Sequence, residues 1–172
     1  TDKRILFLSN AFRTTGVLPI SIDQEKEFYH RLYKKVTGCG YTLDIKVHPS
    51  DNYELIQEFF AGLQNINIYK NKNLADLTIY SDLVISDFST ALFYSIKYFK
   101  PIIILISEYF ESYPFDYSKY GIGIKSYLDN IDKIIEKIPS NDLVNKKAYQ
   151  NFLQDFLSGN QDQDTYKLFY SK

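Results

Sequence analysis

Short, β-rich apolar runs alternate along this chain with longer segments of helical period, and that alternation restricts the fold more than any other feature of the sequence. Residues 4–9 (RILFLS) form the first run, and a loop containing Gly16 and Pro19 follows. Ser21 and Gln24 then make a capping-box pattern. Phe28, Leu32 and Val36 lie four apart on one helical face until Gly38 and Gly40 stop the helix. Residues 42–47 alternate as a second strand closed by His48-Pro49. Asp51 or Asn52 can cap the helix that carries Leu55, Ile56, Phe59 and Phe60. Further strands are expected at 66–69, 83–86 and 102–106, with helices at 74–80 and 90–99 between them. A loop over 107–120 leads to a short strand at 122–125, and helices at 130–138, 142–157 and 165–169 close the chain.

Strands separated by helices of this size imply βαβ units and a mainly parallel sheet. Val84-Ile85 and residues 102–106 are apolar on both faces, as strands covered from two sides must be. The expected fold is therefore α/β: a Rossmann-like three-layer domain over residues 1–157, with residues 158–172 as a polar linker and a short helix packing on it. At 172 residues the chain can bury a core without a disulfide or metal. Its single cysteine, Cys39, has no partner within the chain and fits a reducing cytoplasm.

The formal net charge of −1 supplies no global field for nucleic acid or an anionic membrane, so any phosphate recognition must be local. No apolar run approaches the ~18 residues of a membrane span. The abundant Tyr and Phe read as compositional bias rather than as base-stacking surface. The sequence contains no methionine, even at position 1, from which we expect a segment of a longer protein.

In an open parallel sheet, ligands bind beyond the carboxyl ends of the strands. The unusual polar residues fall there: Ser9, Asn10 and Arg13 after the first strand, and His48-Pro49 after the second. Asp87, Ser89 and Thr90 follow the fourth, and Ser107 and Glu108 the fifth. From residue 81 to 91 a strand runs into a helix through small hydroxyl residues. Such a helix start suits a phosphate, with Ser89 and Thr90 adding hydroxyl donors, although Asp87 or Ser89 would serve equally as a plain cap.

Pro49 holds His48 extended, which aims the imidazole over the sheet edge, to serve either as a phosphate donor or as a plain surface or packing histidine. Arg13 can fork onto a carboxylate or phosphate or simply be solvated, and Glu108 can accept from ribose hydroxyls. His30, among charged helical neighbours, reads as a surface residue. Asp162-Gln163-Asp164 has no strand before it and reads as linker. No Walker or Rossmann glycine fingerprint, zinc spacing or nucleophile elbow is present.

The blocks Ile5-Leu6-Phe7 with Arg13, Lys46-Val47-His48-Pro49, residues 81–90 (SDLVISDFST) and Lys100-Pro101-Ile102-Ile103 resemble the CDP-glycerol glycerophosphotransferase family of teichoic-acid polymerases. The likeness is to their donor-binding carboxyl-terminal half, over about residues 4–117, with 159–168 corresponding as well. It implies one half of a GT-B architecture, in which two Rossmann-like halves enclose the active site. His48 then matches the catalytic donor-site histidine. Ser89 and Thr90 match the hydroxyl pair on the donor phosphates, and Asp87 the acidic residue of that block. Ser9-Asn10 departs from the family's Pro-Thr turn, and the family's Trp-His-Gly segment has no counterpart.

Bacterial sialyltransferases and polysialyltransferases share nearly the same skeleton, a His-Pro motif and a Ser-Ser or Ser-Thr block around CMP. Residues 21–49 look at least as much like them, although their acidic-acidic-Gly motif is absent.

Both resemblances imply a cytidine nucleotide. The expected donor is CDP- or CMP-linked, with phosphates on Ser89, Thr90, Asp87 and Arg13 and the nucleoside near Ser9, Asn10 and Glu108. No metal or cofactor is expected. The general base is expected from a missing amino-terminal acceptor domain, so the chain alone should bind without turnover. The implied setting is bacterial cell-surface polysaccharide or teichoic-acid synthesis. It would take place in the cytoplasm at the inner face of the membrane, with peripheral attachment through the full-length protein and no nucleic-acid partner. A UDP-sugar transferase or 2-epimerase, and a non-catalytic α/β binding module, are the competing readings.

Overall fold

The computed structural model describes residues 2–11, 13, 14, 16, 20–87, 89–106, 116–140 and 142–157. The strands are β1 (Arg4–Leu8), β2 (Thr42–Lys46), β3 (Ile66–Tyr69), β4 (Leu83–Ser86), β5 (Ile102–Leu105) and β6 (Ile124–Ser126). The helices are α1 (Ile22–Gly38), α2 (Tyr53–Phe59), α3 (Leu74–Ile79), α4 (Leu92–Lys97), α5 (Ile131–Ile135) and α6 (Lys146–Leu157). The six strands form one sheet in the order β3-β2-β1-β4-β5-β6, and every pairing is parallel. This is the expected Rossmann-like α/β fold.

Alternation within the strands builds two cores, one on each face. Ile5, Phe7, Leu43, Ile45, Leu83, Ile85 and Ile103 join Leu32 and Val36 of α1, Ile56 of α2 and Ile131 of α5. Leu6, Leu8, Val84, Ile102 and Ile104 join Leu77 of α3, Ile96 of α4 and Tyr149 of α6. Three layers result, and the central strands are buried from end to end. Ser21 closes the capping box of α1 as expected. Asn52 rather than Asp51 caps α2, its side chain accepting from Leu55 N–H at 3.0 Å.

One buried carboxylate lies within the sheet. Asp44 on β2 is buried and accepts from Arg4 Nη1 at 3.2 Å and from Asn67 Nδ2 at 2.7 Å, so a carboxylate joins three adjacent strands.

Element ends differ from the sequence expectation where tertiary contacts decide them. α4 begins at Leu92 rather than Thr90, because residues 89–91 form a turn held by Ser89. β6 lies two residues later than expected, after Gly123. The helix expected over 130–138 is a short α5 between two 3-10 turns, at Leu128–Asn130 and Ile138–Ser140. A further 3-10 turn, Tyr117–Tyr120, interrupts the expected loop. The helix expected over 165–169 lies outside the described residues.

Gly123 has φ +74°, and a Cβ there would stand 3.0 Å from Ile104 Cδ1 and 3.2 Å from Ile102 Cγ2. Gly40 has φ +79° with nothing within 4 Å of the same atom. Gly40→Ala is therefore expected to lose about 1 kcal/mol, the left-handed penalty alone. Gly123→Ala should lose roughly 2–4 kcal/mol, because crowding of β5 is added. Urea unfolding of the two variants measures the difference, and equal losses would show that β5 yields freely.

Candidate functional site

Because all six strands are parallel, their carboxyl ends share one edge. Opposite residues there are Leu8 with Lys46 and Phe7 with Ile85, which sets Ser9 between Val47 and Asp87. His48 on one side, and Asp87, Ser89 and Thr90 on the other, thus flank the end of β1 on the same edge. Between β1 and β4 the sheet changes winding direction, and loops leave to opposite sides.

Three loops are tied together at this point. Asn10 Nδ2 donates to Asp87 Oδ2 at 3.2 Å across the β1–β4 boundary. Ser9, only 6% exposed, donates through its hydroxyl to Asp51 Oδ2 at 3.1 Å and accepts from the His48 N–H at 2.8 Å. Asp51, 8% exposed, also faces Thr14 Oγ1 at 3.0 Å. The exposed His48 ring accepts at Nδ1 from Ser50 N–H, 3.1 Å away. In the neutral imidazole the proton then sits on Nε2, which is left to donate outward.

Ser89 caps the turn before α4. Its Oγ accepts from Ala91 N–H at 3.1 Å, and its carbonyl accepts from Leu92 N–H at 3.1 Å and from the Tyr117 hydroxyl at 3.2 Å. The hydroxyl proton remains available to a ligand, and Thr90 beside it is exposed.

A cavity of about 360 Å³ opens beneath this edge, between β1, α1, β5 and the turn at Leu128. Phe7, Phe28, Tyr29, Leu105 and Leu128 give it apolar walls, while Glu25, Glu27, Asp51, Asp87 and Asp129 line it with carboxylates. Both lining arginines are paired, Arg13 with Glu25 and Arg31 with Asp129. Burial raises the Glu25 carboxyl, the Asp51 charge adds to the rise, and Arg13 opposes it. Burial pushes Asp87 up to about 6, against the Asn10 hydrogen bond. A phosphate inside this cavity would meet net negative charge, whereas His48, Ser89 and Thr90, which lie outside its lining, offer donors at the sheet edge.

Several expected site residues have partners within the chain. Ser9, expected near the nucleoside, is buried and uses its hydroxyl to hold the His48 turn. Asn10, expected beside it, is bound to Asp87. Arg13 lies in the cavity wall against Glu25. Asp87 presents acceptors and so cannot donate to phosphate while ionised. Glu108 and Ser107 lie outside the described residues, as do Asp162 and Asp164. His30, read as a surface residue, is half-buried: its Nε2 meets the Phe59 carbonyl and its ring packs against Phe60.

Asp51 and Glu25 went unrecognised in the sequence. In sequence Asp51 looks like a plain cap candidate and Glu25 like an ordinary first-turn acid, and nothing local reveals their burial. Among the described residues no group of three or more His, Cys, Asp or Glu could hold a metal ion, and no helix is long and apolar enough to cross a membrane.

An all-parallel 3-2-1-4-5-6 sheet with its polar cluster at the switch point is a Rossmann-like α/β fold. The glycosyltransferase SnogD from Streptomyces nogalater shares that fold at 12% identity and TM-score 0.62, over 90% of this chain and 39% of its own. UDP-GlcNAc 2-epimerase from Methanocaldococcus jannaschii, solved with UDP-GlcNAc and UDP, does so at 14% identity and TM-score 0.59, over 91% and 45%. The Neisseria meningitidis UDP-GlcNAc 2-epimerase aligns at 17% identity and TM-score 0.53, over 91% and 45%. The chain thus spans less than half the length of these proteins. Residues 1–108 match the alpha-2,8-polysialyltransferase family, and the chain belongs to it. No curated protein sequence matches the chain.

The raised Asp87 carboxyl has a consequence for stability. Its folded value lies above the ordinary 3.8, so its contribution is complete at low pH and is lost as pH rises through about 6. Asp87→Asn keeps an acceptor for Asn10 and removes the titration. The variant is expected to gain on the wild type between about pH 4 and pH 7, by roughly 1–3 kcal/mol. Urea unfolding across that interval measures the gain, and a difference independent of pH would mean the carboxyl ionises equally well folded and unfolded.

Proposed function

We propose that this chain is the donor-binding half of a GT-B-type transferase that takes its transferred group from a CMP-linked sugar. The observation that carries the reading is the placement of His48, Ser89 and Thr90 on one sheet edge, either side of the β1 end. The donor phosphate sits on that edge, receiving hydrogen bonds from His48 Nε2–H and the two hydroxyls. Transfer makes the nucleotide a leaving group, and donors aimed at its growing negative charge lower the barrier. The residues named need no metal for this step.

Family membership supports CMP-linked sialic acid over CDP-glycerol, the other cytidine donor that the sequence blocks resemble. The general base and the acceptor site belong to a second half outside this chain, which therefore binds nucleotide without turning it over. Synthesis of a bacterial surface polysaccharide, in the cytoplasm at the inner face of the membrane, fits this donor class.

Calorimetry with CMP, CDP, UMP and UDP tests the proposal. Cytidine forms are expected to bind more tightly than uridine forms. His48→Ala and Ser89→Ala are each expected to weaken CMP by about tenfold, the value of one hydrogen bond to a charged group. Equal affinity for UMP, or two silent substitutions, would remove the basis of the assignment. Preference for UDP would select the UDP-sugar enzymes instead, and absence of all nucleotide binding a non-catalytic module.

A further inference from the structure

The turn at residues 48–51 is fastened at both ends to a single hydroxyl. Asp51 N–H closes the turn on the His48 carbonyl at 2.9 Å. The first residue gives its N–H to Ser9 Oγ at 2.8 Å, and the last receives the same hydroxyl's proton on Oδ2 at 3.1 Å. Asp51 Oδ1 meets Thr14 Oγ1 at 3.0 Å, whose proton is shared with the Ala11 carbonyl at 3.1 Å. With the turn closed, Ser50 N–H reaches His48 Nδ1 at 3.1 Å. A buried carboxylate is an expensive way to hold a loop, because two hydroxyls replace a full hydration shell. An ionised acceptor does, however, draw the Ser9 proton in one direction. That turns the Ser9 lone pairs toward the His48 amide.

We propose that Asp51 is a positioning residue. Acting through Ser9, it holds the turn that presents the His48 imidazole, Nε2–H outward, to the donor phosphate. This role rests on the donor site proposed above. It separates Asp51 from residues that touch the nucleotide, and it requires that the effect of Asp51 pass through His48 alone.

A double-substitution cycle on the full chain tests it, with CMP and phosphate-free cytidine as the two probes. Asp51→Ala and Ser9→Ala should each weaken CMP by about tenfold and leave cytidine unchanged. In a His48→Ala background either substitution should add less than about twofold, since the group it positions is gone. Asp51→Asn, which retains one acceptor oxygen, should recover most of the loss.

Losses that multiply in the His48→Ala background, or that fall equally on cytidine, would overturn the proposal and make Asp51 a general structural residue. Should Asp51→Ala fail to fold, Ser9→Ala carries the same cycle. If His48→Ala alone leaves CMP affinity unchanged, the donor-site reading fails first and the positioning role falls with it. A silent Asp51 beside an effective His48 overturns the positioning role only.

Discussion

The structure depends on burying a parallel sheet from both sides. β1, β4 and β5 pair their backbone groups with neighbouring strands and cover both faces with helices, so almost no polar side chain fits along their length. Polar chemistry is displaced to where the strands stop. At the β1–β4 boundary the following loops also diverge, which opens room above the strand ends. Ser9, Asn10, His48, Asp51, Asp87 and Ser89 gather there because it is where the fold admits them.

Within that region charge is unevenly placed. Carboxylates line the cavity and are answered partly by Arg13 and Arg31, while His48, Ser89 and Thr90 lie outside its lining. The net negative charge of the cavity disfavours an anionic ligand within it. A neutral, hydroxyl-bearing group can enter where a phosphate cannot, because carboxylates accept hydrogen bonds from hydroxyls. The raised values of Asp87 and Glu25 follow chiefly from burial, to which the Asp51 charge adds at Glu25.

The strands were legible because a run such as Ile102–Leu105 has few ways to be satisfied other than between two helical layers. The edge carrying the site was legible for the same reason, since parallel order alone places every loop after a strand together. Element ends were less so. Ser89 both caps a turn and lies at the candidate site, and its hydroxyl, bound to the Ala91 N–H, holds the turn that delays α4. Asp51 and Asn52 are interchangeable as caps in sequence. What separates them is Ser9, far away along the chain. His30 has charged neighbours in sequence but Phe59 and Phe60 in space. Such long-range partners leave no local trace.

Asp44 carries a consequence for how the sheet finds its alignment. Strands that are greasy on both faces say little about register, since sliding one along its neighbour exchanges Ile for Leu or Val at small cost. Asp44 faces Leu6 and Asn67, within reach of Arg4. Any slip of β2 would carry the carboxylate away from both partners and leave a charge stranded in the interior, a penalty of about 3–5 kcal/mol. One acid thus proofreads the alignment of three strands. The alignment it enforces sets Leu8 against Lys46, and with it the Ser9 hydroxyl against the amide of His48.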